Sequence, residues 1–174
     1  MIDRISQRIA YNIKKVVPDH PASQAVLKYA LEVVLNVVFI IVITLAISLL
    51  TGNFSEALTI LVSFALLRQS SGGVHLKSGV ACVIFTTTLF TVLSFINVNL
   101  LVVQVMNAIS FLIILWLAPI GIEKQTRIPK RHYPKLKIIG LVLVATNVII
   151  CSSAIAVSYF AQSLSLLIAR KEVK

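Results

Sequence analysis

Charged side chains are scarce in this chain. Only 13% of its 174 residues are Asp, Glu, Lys or Arg, whereas 58% are hydrophobic. A soluble domain of this length could not bury so much apolar surface in one core. The composition therefore excludes an ordinary soluble globular protein and predicts an integral membrane protein.

Acidic residues are the scarcer of the two charged kinds. Six Asp and Glu stand against sixteen Lys and Arg, which gives a formal net charge of +10. In a soluble protein this charge would suggest nucleic acid. Here the basic residues lie between and beside long apolar runs, as they do on the cytoplasmic side of membrane proteins. We therefore expect contact with membrane lipid and no binding of nucleic acid.

Cysteine is limited to Cys82 and Cys151, and both lie inside apolar stretches. This pattern excludes a scaffold held by disulfides. No CxxC or HExxH motif occurs, and one His with one Cys supplies too few ligands for a zinc site. We expect neither a metal nor another cofactor.

Residues 1–31 are expected to form an amphipathic segment on the cytoplasmic face. Apolar side chains recur there at steps of three and four, while Arg and Lys occupy the other faces. The apolar positions are Ile2, Ile5, Ile9, Ile13 and Val16. Such a helix lies in the lipid headgroup layer or packs on the helices of its own protein, and the sequence leaves both open.

Residues 33–169 predict a transmembrane bundle. The run 33–51 has Asn36 as its only strongly polar interior side chain, and as a helix it covers about 28 Å, close to the hydrocarbon thickness. Further spans are predicted at 57–67, 79–96 and 100–122. Because 57–67 is too short alone, it either recruits residues 53–55 or draws the next loop below the membrane surface.

The last apolar run, 138–169, is longer than one span requires and has a polar centre around Ser152. One span followed by an interfacial helix gives five crossings, which the segment length favours. A hairpin near Ser152 gives six, which the placement of basic residues on one side favours. The predicted fold is an all-α polytopic membrane protein with five or six transmembrane helices plus the N-terminal helix. Its polar loops, 68–82 and 123–137, are expected on the cytoplasmic side.

His75 and Cys82 are a base and a nucleophile that lie close in sequence, where a glycine-rich loop meets a membrane helix. On an unbroken helix they would be separated by about 10 Å along the axis, whereas their hydrogen bond requires about 3 Å. Gly72, Gly73 and Gly79 allow the backbone to fold back. We therefore expect the loop to bring the imidazole to the thiol.

Polar neighbours in the same loop would support this pair. Arg68 and Lys77 would favour the thiolate over the thiol. Gln69, Ser70 and Ser78 are all near enough in sequence to orient the imidazole, and the sequence does not choose among them. Cys151, in contrast, is interpreted as a small apolar residue of a helix.

The stretch 68–82 resembles the motif of AgrB-type accessory gene regulator proteins, which are bacterial membrane peptidases that process precursors of autoinducing peptides. The residues that carry the resemblance are Arg68, Gly72, Gly73, His75, Lys77, Ser78 and Cys82. The likeness extends over nearly the whole chain, in its size, its several spans, its amphipathic start and its basic loop.

This resemblance implies that His75 is the general base, that Cys82 is the nucleophile, and that the other motif residues support the site. The implied reaction cleaves the C-terminal tail of an AgrD-like precursor peptide through an acyl-enzyme thioester. A Cys or Ser of the peptide then closes a thiolactone or lactone ring, giving a quorum-sensing signal. Lys130 and Arg131 match the family's basic loop loosely and are candidate contacts for an acidic tail. The implied location is the bacterial cell membrane.

Two alternatives belong to other classes of protein. A small transporter or exporter would leave the cysteine incidental, and a non-catalytic scaffold would recruit a partner or lipid. No convincing repeat supports transport. A homodimer stays open for so small a membrane protein, although no GxxxG motif supports it. The pairing of His75 with Cys82 is what favours the peptidase.

Overall fold

The structure, a computed structural model, describes residues 2–73, 78–122 and 128–173. These ranges form seven α-helices and confirm the all-α, polytopic class. The helices are α1 (Ile2–Val16), α2 (Gln24–Thr51), α3 (Phe54–Ser71), α4 (Gly79–Ser94), α5 (Leu100–Leu117), α6 (Tyr133–Ile150) and α7 (Ser153–Val173). By length and composition, four of them are able to cross a membrane: α2, α5, α6 with the short turn before it, and α7.

The amphipathic helix α1 packs along the first half of α2. Ile2, Ser6 and Ala10 are buried in this contact. Because Ser6 and Ala10 are small, the two helices can approach closely. Asp3 forms an ion pair with Lys28, whose hydrogen bond lowers the pKa of Asp3, so the pair is charged at neutral pH. The helix therefore packs on its own protein with one face, which is one of the two alternatives left open above.

Helix α3 is longer than the sequence predicts. It has 18 residues, which span about 27 Å, and it includes residues 54–55 at its start. The predicted loop beginning at Arg68 is wrong, because the helix continues to Ser71. Nothing before Gly72 breaks a helix, and the hydroxyls of Ser70 and Ser71 both bond to the Leu67 carbonyl, at 2.9 and 2.7 Å.

The predicted bounds of several other helices also need correction. Helix α2 contains the whole predicted span 33–51 and begins earlier, at Gln24, because Ser23 caps it by accepting a hydrogen bond from the Val26 amide. Helix α4 ends at Ser94 instead of residue 96. Helix α5 ends at Leu117 instead of residue 122, just before the cis peptide bond of Pro119.

The basic loop is shorter than predicted. Its residues 123–127 lie outside the described ranges, and residues 133–137 already belong to α6. Pro134 falls at the start of that helix, where a missing amide hydrogen has no cost. A 3-10 turn, Lys130–His132, leads into the helix.

The long apolar run near the C-terminus is divided into a helical hairpin. Cys151 ends α6 in the left-handed conformation, with φ 58°. The Asn147 carboxamide closes the turn, donating to the Ser152 carbonyl at 3.2 Å and accepting from the Ser152 amide at 3.1 Å. This is the hairpin that six crossings require; the number of crossings itself stays a prediction.

Helices α3 and α7 lie at the centre of the bundle. Their apolar contacts with the neighbouring helices form two clusters, Leu67 with Ile114, Ala118, Val144, Tyr159 and Leu166, and Ile60 with Phe64, Phe90 and Val157. Buried polar side chains also join helices: Ser63 bonds to Ser158 at 2.9 Å, and Asn147 to Asn107 at 3.0 Å. Such contacts are typical of helices in lipid. There, apolar side chains gain little by packing on another helix instead of on lipid tails, so polar contacts help to hold the helices together.

The bundle has two distinct ends. At one end, Ser153 bonds to the Val98 amide at 3.0 Å, so the α4–α5 and α6–α7 turns meet there, close to Cys151. At the other end, Gly72 pairs with Ile120, so the end of α3 meets the segment after α5. The start of α4, with Cys82, belongs to this second end. The two cysteines are therefore far apart.

Candidate active site

The chain leaves α3 through a glycine turn held by the segment after α5. Gly72 has φ 78° and Gly73 has φ 137°. The Gly73 amide donates to the Ile120 carbonyl at 3.1 Å, and the Ile120 amide donates to the Ser71 carbonyl at 3.1 Å. A Cβ atom on Gly72 would lie 2.1 Å from the Ile120 oxygen. Only glycine fits there.

Gln162 of α7 fixes the same turn from the other side. Its side chain is fully buried, with 0% exposure, and its Nε2 donates to the Gly72 carbonyl at 2.6 Å and to Ser71 Oγ at 3.0 Å. A Cβ atom on Gly73 would lie 2.9 Å from Ser165 Oγ, also on α7. Gln162 belongs to none of the motifs in the sequence. A signal was present, since a strongly polar residue in a membrane helix usually faces the bundle interior with a role there.

Cys82 lies in the first turn of α4. Ser78 caps this helix, because its Oγ accepts from the Ala81 amide at 3.4 Å and its carbonyl accepts from the Cys82 amide at 2.9 Å. The thiol is free and partly exposed, with Sγ 4.0 Å from Thr86 Oγ1. The positive end of a helix dipole favours a thiolate at such a position.

Arg68 lies against the glycine turn. It is partly buried in the last turn of α3, and its guanidinium is 3.1 Å from the position that a Cβ atom on Gly73 would take. It also lies within electrostatic range of Cys82. The structure thus brings together Arg68, Gly72, Gly73, Ser78 and Cys82, five of the residues predicted to form the site.

His75 and Lys77 lie outside the described residues, so their contact with Cys82 stays a prediction. Among the candidates for orienting the imidazole, Ser70 faces α6, since its Oγ is 3.3 Å from the Cβ position of Gly140. Ser78 caps α4, and Gln69 is exposed on α3. Because His75 is not described, a contact of any of these three with its imidazole stays a prediction.

Lys130 and Arg131 lie in the 3-10 turn that begins the last helical hairpin. Both are exposed, and Arg131 Nε donates to His132 Nε2 at 3.2 Å. They belong to the same end of the bundle as Cys82, together with Arg170, whose guanidinium stacks 4.1 Å from the centre of the Trp116 ring. In the described ranges, no three His, Cys, Asp or Glu side chains are grouped as metal ligands would be.

These features define a class of protein: a polytopic helical membrane protein with a cysteine at a helix start, beside a glycine turn and a basic end. The sequence profile of the family described as AgrB, accessory gene regulator B, matches residues 5–169. The chain belongs to this family.

Individual relatives agree with the family match. The accessory gene regulator protein B of Staphylococcus carnosus is 32% identical over 130 residues, covering 72% of this chain and 67% of the relative. That of Staphylococcus haemolyticus is 28% identical over 164 residues, or 92% and 85% of the two chains. A putative AgrB-like protein of Halalkalibacterium halodurans is 23% identical over 137 residues, or 79% and 70%. No solved structure matches the chain.

Proposed function

We propose that this protein is a membrane-embedded cysteine endopeptidase that cleaves the C-terminal tail of an AgrD-like precursor peptide. The observation that carries the proposal is the setting of Cys82. Its thiol is partly exposed in the first turn of α4, and Arg68 lies within electrostatic reach of it. A helix start and a nearby cation both favour the thiolate, which is the reactive form of cysteine.

In the proposed reaction His75 takes the thiol proton, and the Cys82 thiolate attacks the carbonyl carbon of the scissile peptide bond. The imidazolium then gives its proton to the departing amine of the tail, which leaves the peptide core bound to Cys82 as a thioester. A thiol or hydroxyl within the core attacks this thioester. The ring closes, Cys82 departs as a thiolate, and His75 receives the proton of the attacking group.

The basic end of the bundle suits the substrate. An acidic tail would be attracted to the exposed Lys130 and Arg131, which lie at the same end as Cys82, and such attraction raises the rate and specificity of encounter more than the final affinity. The positive-inside rule assigns this end to the cytoplasm. The precursor would therefore be cut on the cytoplasmic side of the bacterial membrane.

The experiment is co-expression with a candidate AgrD-like precursor peptide, followed by detection of the released tail. We expect Cys82→Ser to abolish release and His75→Ala to reduce it by about 10²- to 10⁴-fold. Cys151→Ser is the matched control, since Cys151 lies at the opposite end of the bundle, and it should release the tail at the normal rate. Normal release by Cys82→Ser would contradict the peptidase and favour the transporter or the scaffold.

A further inference from the structure

A cleft that the proposed mechanism does not use lies between α1 and the first residue of α2. It has a volume of about 360 Å³ and is lined by Arg4, Gln7, Arg8, Tyr11 and Gln24. All five residues are exposed, so the cleft is open to the surroundings of the protein. Its lining is polar and basic.

The two arginines of the cleft keep their charge available for a ligand. Arg4 and Arg8 are one turn apart on α1, with Cβ atoms about 5–6 Å apart. Neither guanidinium forms an ion pair or a side-chain hydrogen bond with another described residue. Asp3 and Glu32, the carboxylates beside α1, both pair with Lys28. Among the described residues that line the cleft, none is acidic.

The length of α2 places α1 at the depth of lipid headgroups. Helix α2 has 28 residues, or about 42 Å, whereas the hydrocarbon core of a bilayer is about 30 Å thick. The excess lies at the start of the helix, because Lys28 and Glu32 precede its apolar run. Helix α1 packs on this part, where Ser6 Oγ donates to Glu32 Oε1 at 3.3 Å. The cleft is therefore outside the hydrocarbon and level with the phosphate groups.

The cleft lies at the same end of the bundle as Cys82. A Cβ atom on Gly79, the first residue of α4, would lie 3.1 Å from both carboxamide atoms of Asn36. The start of α4 thus packs on the first half of α2, and α1 also contacts α4. Because the positive-inside rule assigns this end to the cytoplasm, the cleft would face the cytoplasmic leaflet.

An anionic phospholipid fits this position better than an acidic peptide. Two neighbouring guanidiniums bind the oxygens of one phosphate through charge-assisted hydrogen bonds, and Gln7, Tyr11 and Gln24 offer neutral hydrogen-bonding groups to the rest of a headgroup. Helix α1 also has exposed apolar side chains, Ile9 at 37% and Val16 at 79%. Acyl chains at the interface would cover these side chains, whereas a peptide held by the arginines would leave them in water.

We propose that this cleft binds the phosphate headgroup of an anionic phospholipid of the cytoplasmic leaflet, with Arg4 and Arg8 as the phosphate ligands. The inference is independent of the proposed function, since the cleft contains none of the residues assigned to the chemistry. It is also more specific than general contact with membrane lipid, because it names one class of headgroup and the side chains that select it.

The test measures lipid binding to the full-length protein, purified in detergent, by native mass spectrometry. Dioleoylphosphatidylglycerol is the anionic probe, and dioleoylphosphatidylcholine, with the same acyl chains, is the zwitterionic reference. We expect the first phosphatidylglycerol to bind about tenfold more tightly than the first phosphatidylcholine. The Arg4→Gln, Arg8→Gln protein should lose about 30-fold in affinity for phosphatidylglycerol, the equivalent of about 1 kcal/mol for each charge.

Two further variants distinguish a site from general attraction to positive charge. Lys15→Gln, Lys135→Gln removes the same charge from exposed positions outside the cleft and should leave the affinity for phosphatidylglycerol almost unchanged. Arg4→Lys, Arg8→Lys keeps the charge but removes the planar fork that matches a phosphate, so we expect a smaller loss, of about fivefold. Unfolding temperatures without lipid should be equal in all these proteins, because every substituted residue is exposed.

Three outcomes would overturn the inference. Equal loss of phosphatidylglycerol affinity in the arginine-to-glutamine and lysine-to-glutamine proteins would show diffuse attraction instead of a site. Equal binding of the two lipids by the unsubstituted protein would exclude selection of the headgroup. A hexaglutamate peptide probes the other occupant: if it required Arg4 and Arg8 for binding while phosphatidylglycerol did not, the cleft would be a peptide site. None of these measurements depends on Cys82 or on peptide cleavage.

Discussion

Gly72 shows how one residue determines the geometry beside the proposed nucleophile. Its φ of 78° belongs to the left-handed region that side chains disfavour, and the Ile120 carbonyl occupies the place of a Cβ atom. Both constraints act at the position where α3 ends and the segment that carries His75 begins. A substitution at Gly72 should therefore change the local backbone structure and also lower the proposed peptidase activity.

We predict that Gly72→Ala destabilises the protein more than Gly52→Ala. Each substitution costs about 1–2 kcal/mol for the left-handed conformation, since Gly52 has a similar φ of 76°. Gly52 has open space around its Cβ position, whereas Gly72 faces backbone at 2.1 Å. Thermal unfolding in detergent measures the difference. Equal losses of stability would contradict the close approach of Ile120 to Gly72.

At the scale of helices, α7 holds the glycine turn of α3 through a single side chain. Gln162 is separated from Gly72 by 90 residues, so no local pattern in the sequence indicates their contact. The turn is thus built from three parts of the chain, the end of α3, the segment around Ile120, and α7. Each supplies backbone or side-chain hydrogen bonds that the others lack.

We predict that Gln162→Leu lowers both stability and peptide cleavage. The substitution leaves the buried Gly72 carbonyl and Ser71 hydroxyl without their donor, at a cost of about 1–3 kcal/mol. Gln104→Leu is the matched control, because Gln104 Nε2 bonds to the Val148 carbonyl at 3.2 Å near the opposite end of the bundle. Unfolding midpoints and tail release measure the two effects. If both variants cleaved the precursor equally well, α7 would have no part in holding the site.

The helices also show what the sequence could and could not predict. Apolar periodicity and run length correctly predicted α1 and the helical nature of every later apolar run. The end of α3 was missed because Arg68 to Ser71 are polar, and polarity was interpreted as a loop; the backbone instead stays helical until Gly72. The residues near Cys82 in sequence were identifiable from their chemistry. Gln162 was identifiable as a strongly polar residue of a membrane helix, but its contact with the glycine turn was not, and neither was that of Ile120, since only tertiary packing brings them to the site.

At the scale of the whole molecule, the two ends of the bundle differ in charge. The end with Cys82 contains Arg68, Arg131 and Arg170, whereas the other end contains the short turns near Cys151. The helical hairpin closed by Asn147 places the C-terminal basic residues with the other basic segments. A bacterial membrane would orient such a molecule with its basic end toward the cytoplasm.

We predict that a membrane-impermeant maleimide added to intact cells labels Cys151 and leaves Cys82 unlabelled. Cys151 is exposed at the turn between α6 and α7, and Cys82 lies at the opposite end. Labelling in permeabilised cells should reach Cys82 as well. The Cys151→Ser protein serves as the control for background. Labelling of Cys82 from outside would reverse the proposed orientation and exclude cleavage on the cytoplasmic side.

The central claim is that Cys82 forms a covalent thioester with the peptide core. Its most direct test uses a precursor whose ring-closing Cys or Ser is replaced by Ala, so that the thioester accumulates, and mass spectrometry of the intact protein and of its fragments. We expect an adduct with the mass of the peptide core on the fragment containing Cys82, removed by hydroxylamine and absent from Cys82→Ser. Tail release from this precursor by a protein that carries no adduct, or carries it on Cys151, would contradict the account.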